Sequence, residues 1–217
     1  MRELNIPVTT HGRVLIDGSR AEPLRLLLGC HGYAQNAEEM MEMLRAIPDG
    51  EGWTRVSVQA LHRFYRGRSQ ITVASWMTRQ DRDLVIRDNV AYVDAAVAGV
   101  AEGRAIERLV FCGFSQGVAM AFRAGVLGAR KADAVLALGG DVPPELLADA
   151  AVIFPHVLLA RGTRDEWYTA AKLDVDEAAL RRRGARVDTL TFDGAHEWHH
   201  DFATRAAAML AKTGAAP

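Results

Sequence analysis

Three features of the sequence predict an α/β protein with a mostly parallel central sheet and helices on both faces. Short runs rich in Val, Ile and Leu alternate with stretches of helical periodicity along the chain, joined by short connections. Residues 24–30 are apolar apart from Arg25 and Gly29, as suits a strand buried on both sides of a parallel sheet. Residues 109–112 form another apolar run that breaks on Gly113-Phe114-Ser115-Gln116-Gly117, and helix-forming residues resume from Val118 to Leu127. At 217 residues, with 49% hydrophobic and 24% charged residues, the chain is expected to form a single domain over 1–217. Little or no cap domain is expected, and there is no internal repeat, low-complexity tract or linker.

Taken in order, residues 1–23 predict a short hairpin, with a strand over 14–16 and Asp17, Gly18 and Ser19 as its turn. The strand over 24–30 leads directly into His31, Gly32, Tyr33 and Ala34. Asn36 can cap the next helix, with Glu39 completing a capping box and Met40, Met43, Leu44 and Ile47 forming the apolar face. Pro48, Asp49 and Gly50 end it. A short strand over 56–60 precedes the longest irregular stretch, 61–82, where Phe64, Tyr65 and Trp76 are interleaved with Arg63, Arg66, Arg68, Arg79 and Arg82. Such a loop either lines a pocket or is a solvated excursion with a few aromatic anchors.

The clearest helix is 83–102, because Ile86, Val90, Val93, Val97 and Val100 alternate spacings of four and three. Residues 134–138 read as a strand ended by Gly139 and Gly140, and Pro143 and Pro144 start a short helix through Ala150. A strand over 156–160, a helix over 167–183 closed by Gly184, and a strand over 187–192 follow. The last helix is 197–212, with Trp198, Phe202, Ala206 and Met209 on one face.

The turn at 113–117 carries the first chemical signal. A serine on a tight strand-to-helix turn is held in a strained conformation with Oγ exposed at the sheet edge. The flanking glycines are needed because a Cβ there would collide with strand and helix. The amide of Gln116, at the helix N-terminus, can donate to a developing oxyanion. The bland alternative is an ordinary turn with a capping serine.

Serine needs a base, and the base needs an orienting acid. Asp165 follows the strand over 156–160, and His196 follows the strand over 187–192. In a parallel sheet both loops open at the same edge as the serine turn. Asp141, Glu166 and Asp193 are the other acids near strand ends; Asp141 is the second choice, and Asp193 lies too close in sequence to His196. Asp165 could instead serve only as a helix cap. His31 is expected to hold the oxyanion loop by hydrogen bonds, and the amide of Tyr33 is the second oxyanion donor.

His196 also begins His-Glu-Trp-His-His, which matches the HExxH zinc-peptidase pattern. Both histidines of that pattern must lie in one helix, yet Gly194 and Ala195 place His196 in a loop, and no distant third ligand follows it. No metal and no cofactor are therefore expected.

The net charge of -1 predicts no nucleic-acid partner and no attraction to an anionic membrane surface. The first residues lack an apolar core of signal-peptide length and no run nears the roughly 20 residues that span a bilayer, so a cytoplasmic location without integral membrane association is expected. Cys30 and Cys112 both end apolar runs, which suits buried reduced thiols.

His31-Gly32, the Gly-Phe-Ser-Gln-Gly form of the serine turn, Ala74 to Trp76 before the long helix, the Asp165 loop and Gly-Ala-His-Glu-Trp at 194–198 together resemble the phospholipase/carboxylesterase family of α/β-hydrolases. The order Ser115, Asp165, His196 is that of the α/β-hydrolase triad. The resemblance spans nearly the whole chain and implies the α/β-hydrolase fold, a triad of Ser115, Asp165 and His196, and an oxyanion hole from the Tyr33 and Gln116 amides. It implies a small carboxylic ester, thioester or lysophospholipid as substrate, in a monomer or homodimer. Tyr65, Trp76 and Trp167 are expected near the substrate. The chain departs from the family in two places: Ala34 stands where a second glycine is common, and Glu166-Trp167-Tyr168-Thr169 replaces a small apolar residue and proline. Both departures bear on the acyl pocket. The related dienelactone hydrolases use a cysteine nucleophile, which Ser115 argues against. A reading from a different class is a catalytically silent small-molecule-binding protein on the same fold.

Overall fold

A computed structural model describes residues 1–18, 22–48 and 52–213. The chain runs β1 (Arg13–Asp17), β2 (Leu24–Cys30), α1 (Ala37–Arg45), β3 (Thr54–Gln59), β4 (His62–Tyr65), β5 (Thr72–Ser75), α2 (Arg82–Ala101) and β6 (Ile106–Phe114). It continues through α3 (Gln116–Leu127), β7 (Ala134–Leu138), α4 (Pro144–Ala148), β8 (His156–Gly162), α5 (Ala170–Arg182), β9 (Val187–Phe192) and α6 (His200–Thr213). The main sheet has the order β1-β3-β2-β6-β7-β8-β9. All neighbours are parallel except β1, which runs antiparallel to β3. This is the α/β-hydrolase architecture.

The two-residue period of a strand divides the core between the sheet's faces. Leu26 and Leu28 pack with Val93 of α2, Phe122 of α3, Leu146 of α4 and Leu173 of α5. Leu27, between them, packs on the other face with Met40 and Leu44 of α1 and Phe202 and Met209 of α6. All three leucines are fully buried. Each contributes about 1.5–3 kcal/mol relative to exposure, which is why this segment is apolar on both alternating positions.

The capping box of α1 is present: Glu39 N donates to Asn36 Oδ1 and Asn36 N donates to the Glu39 carboxylate, both at 2.9 Å. Ser19, Asp49 and Gly50, expected in turns, lie outside the described residues.

Four expectations are corrected. The strand over 14–16 exists, but its partner is not a hairpin neighbour; Arg13 to Asp17 pair with Gln59 to Arg55 of β3, which makes β1 the edge of the sheet. The stretch 61–82 is not wholly irregular, because β4 and β5 form a separate two-stranded antiparallel sheet. The helix expected from 167 starts at Ala170. Asp165 accepts the amides of Trp167 and Tyr168, a local turn that competes with helix there. The helix expected from 197 starts at His200, where the His199 ring accepts the amide of Asp201 in the first turn. Among the described residues no helix is long and apolar enough to cross a membrane.

Candidate active site

Ser115 lies between β6 and α3 with φ 52° and ψ −122°, a conformation non-glycine residues adopt at a cost of about 1–3 kcal/mol. Its amide donates to Leu138 O at 2.9 Å, and its carbonyl accepts from Val118 N at 3.0 Å, so the turn is held from both sides. A Cβ on Gly113 would sit 2.5 Å from Val118 Cα, and one on Gly117 would sit 2.0 Å from Cys30 O. Both glycines are therefore required by close approach of backbone to backbone.

The carboxyl ends of β8 and β9 deliver the other two residues to this turn. His196 Nε2 is 2.9 Å from Ser115 Oγ, and His196 Nδ1 is 2.9 Å from Asp165 Oδ2. Asp165 is 4% exposed, and its Oδ1 accepts both the Trp167 and Tyr168 amides at 2.9 Å. The same carboxylate thus serves the imidazole with one oxygen and its own loop with the other. The structure brings Ser115, Asp165 and His196 together.

The loop after β2 reaches the same edge. His31 is buried; its Nδ1 lies 2.7 Å from Gly32 O, and its Nε2 accepts from Ala60 N at 3.0 Å. A single proton on Nδ1 satisfies both contacts, and burial holds the ring's pKa below its ordinary value, against the Gly32 carbonyl and Glu39, which favour the proton. Trp76 Nε1 donates to His31 O at 2.9 Å, fixing the loop from another side.

Within this loop, the Gly32 amide is taken by Gln35 Oε1, the Ala34 amide by Ala74 O and the Gln35 amide by Gly32 O. The Tyr33 amide has no partner among the described residues. Gln116, as the first residue of α3, has no helical carbonyl behind it to accept its amide. The departure at Ala34 has a backbone consequence, since its φ is 57°, in the region that favours glycine.

A cavity of about 420 Å³ opens at Ser115, lined by Trp76, Gln116, Gly140 and Trp167, among others. Trp76, which is buried, and Trp167, which is exposed, are both on its wall. Tyr65 is not; it sits exposed on the β4 strand. The Tyr33 ring is also exposed and lies against Phe64, with centroids 5.6 Å apart. Arg63 and Arg66 turn away, toward His11 O and Glu39 respectively.

Sequence reasoning missed two contributors. The Gln116 side chain accepts the Trp76 amide at 2.9 Å and donates to Met77 O at 3.0 Å, so it shapes the cavity wall beyond the role of its amide. Arg123 also lines the cavity, although its residue is only 4% exposed. Its signal was a lone charged residue in the largely apolar helix Gln116–Leu127.

The other acids have separate duties. Asp141 pairs with Lys172 at 3.0 Å, Asp193 pairs with Arg164, and Glu166 is exposed. The His-Glu-Trp-His-His string does not form a helical metal pair. His196 is in a loop with both ring nitrogens engaged, and the first helical residue, His200, instead meets Asp201 at 2.9 Å. Cys30 and Cys112 are buried free thiols, and burial pushes both above the ordinary thiol range, away from nucleophilic thiolate.

A family model described as phospholipase/carboxylesterase matches residues 14–213. No curated protein sequence matches the chain. Among solved structures, esterase PE8 superposes with a TM-score of 0.73 at 22% identity, over 95% of this chain and 100% of that one. A Bacillus cereus carboxylesterase gives 0.73 at 13% identity, over 93% and 94% of the two chains. Zea mays acyl-protein thioesterase 2 gives 0.67 at 18% identity, over 94% and 99%. At these identities the solved structures speak for the fold.

Proposed function

The chain belongs to the phospholipase/carboxylesterase family of α/β-hydrolases, and from that premise we propose that it hydrolyses carboxylic esters or thioesters through an acyl-enzyme on Ser115. The observation that carries this reading is the His196 ring, 2.9 Å from Ser115 Oγ on one side and 2.9 Å from Asp165 on the other.

In this mechanism Asp165 accepts a hydrogen bond from Nδ1–H, which keeps that proton on Nδ1 and leaves Nε2 free to take the proton of Ser115 as Oγ attacks the carbonyl carbon. The Tyr33 and Gln116 amides receive the oxyanion, because neither has a competing acceptor among the described residues. His196 then gives its proton to the departing alkoxide or thiolate, which leaves with the acyl group held on Ser115. Water, deprotonated by the same Nε2, releases the acid and restores the serine. No metal or cofactor takes part in these steps. The protein acts in this reading as one α/β-hydrolase domain in the cytoplasm, consistent with its buried free thiols.

Ser115→Ala tests the reading. Turnover of p-nitrophenyl butyrate is expected to vanish and fluorophosphonate labelling to disappear, with an unchanged circular dichroism spectrum. Full activity in that variant would sink the proposal.

A further inference from the structure

The cavity at Ser115 is lined by four cationic side chains: Arg79, Arg82, Arg123 and Lys172. Their partners do not balance them. Lys172 is matched by Asp141 at 3.0 Å. Arg82 and Arg123 share one carboxylate, Glu145, at 2.8 and 2.7 Å. Asp83, 4.0 Å from Arg82, is 97% exposed and screened by water. Arg79 has no ion-pair partner among the described residues. Arg123 is the most buried of the four, with its side chain 5% exposed, and among the described residues its Nη1 meets only the Met77 sulfur at 3.9 Å. The wall therefore carries a local positive excess in a chain whose net charge is -1. A buried guanidinium with an unspent donor favours a carboxylate ligand, which it can engage through two parallel bonds.

The position of this wall says which half of the substrate would meet it. His196 must reach the leaving atom to protonate it, so the leaving group lies on the imidazole side of Ser115. His196 does not line the cavity, whereas Ser115, Gln116, Ala119 and Arg123 do. Residues 116, 119 and 123 fall on one face of α3, and Arg123 starts roughly 10 Å along the helix from Gln116. Its side chain leans back toward the helix N-terminus, so the guanidinium is closer to Ser115 than its Cα.

Resting on the reading of Ser115 as nucleophile, we propose that the acyl part of the substrate is a short dicarboxylic acid whose free carboxylate is bound by Arg79, Arg82 and Arg123. The ester or thioester carbonyl is attacked by Ser115 and its bond to the leaving group breaks. His196 protonates the departing oxygen or sulfur, and water then releases the dicarboxylate.

The test compares mono-p-nitrophenyl glutarate with p-nitrophenyl valerate, which share acyl length but differ in the distal charge. Wild type is expected to favour the glutarate ester at least tenfold in kcat/KM, mainly through KM. Arg79→Ala should shrink that ratio at least fivefold, and Arg79→Lys should restore part of it. Glutarate should bind Ser115→Ala protein by calorimetry more tightly than butyrate does. Serine-dependent turnover of valerate with no preference for glutarate would overturn the proposal and leave the esterase reading standing. A preference instead for the acetyl ester of 4-hydroxybenzoate, charged on its leaving group, would overturn the acyl assignment. Turnover of none of these esters would remove the esterase reading and this inference with it.

Discussion

Replacing Asp165 by asparagine tests the proposed mechanism through a single proton. Asp165 Oδ1 accepts the buried Tyr168 amide and the Trp167 amide, while Oδ2 faces His196 Nδ1. An asparagine has only one acceptor oxygen, and the two amides claim it. The opposite flip would set an NH₂ group against two N–H donors, at about 1–3 kcal/mol for each bond left unmade. The NH₂ group therefore turns toward His196, whose Nδ1 must now accept, and the ring proton moves to Nε2 beside Ser115. A protonated Nε2 cannot take the serine proton. The expected loss is about 10⁴-fold in kcat, or about 5.5 kcal/mol of barrier, with little loss of fold. Asp165→Ala should be comparably inactive but less stable by about 2 kcal/mol or more, because it strands both amides. Initial rates with p-nitrophenyl butyrate and urea unfolding of both variants measure the two effects separately. If Asp165→Asn keeps more than a tenth of the wild-type kcat, the tautomer argument is wrong.

Two further outcomes follow from the loop after β2. Ala34→Gly should stabilise the protein by about 0.5–1 kcal/mol in urea unfolding, since relief of the positive φ exceeds the entropy that glycine adds to the unfolded chain; destabilisation would mean that the alanine methyl contributes packing the backbone argument omits. His31 has a folded-state pKa below the unfolded value of about 6.5, so the unfolded chain takes up its proton first as pH falls. The stability His31 contributes is present above about pH 6.5 and is lost below it, at up to about 1.4 kcal/mol per pH unit. His156 is shifted in the same direction by burial, so the diagnostic quantity is the gap between wild type and His31→Gln. That gap should narrow between pH 7.5 and 5; a constant gap in urea midpoints would refute the assignment.

How much was legible beforehand depended on whether local rules or distant contacts decided the outcome. The strands Leu24–Cys30, Ala134–Leu138 and Val187–Phe192 were read with their observed bounds, because the first two are nearly continuous apolar runs and the third, rich in β-branched residues, ends on turn residues. The starts of α5 and α6 were misread because side chains of Asp165 and His199 capture nearby amides, which apolar periodicity does not register. Tyr65 was placed near the substrate because its stretch was read as a loop, whereas pairing of β4 with β5 turns it to solvent.

The sequence by itself determined the α/β-hydrolase class, the serine turn and the order of Ser115, Asp165 and His196. Each of these rests on residue types, short motifs and their order along the chain, and the hydrolase class on the family those motifs resemble. Only the tertiary structure decided which acid meets His196, which amides of the 31–35 loop stay unpaired, and which arginines face Ser115. Arg66 and Arg79 look alike in the sequence, but one ends on Glu39 and the other on the cavity wall. The physical reason is that charge pairing and amide satisfaction are settled among groups far apart in the chain, brought within reach only when the parallel strands align their carboxyl ends.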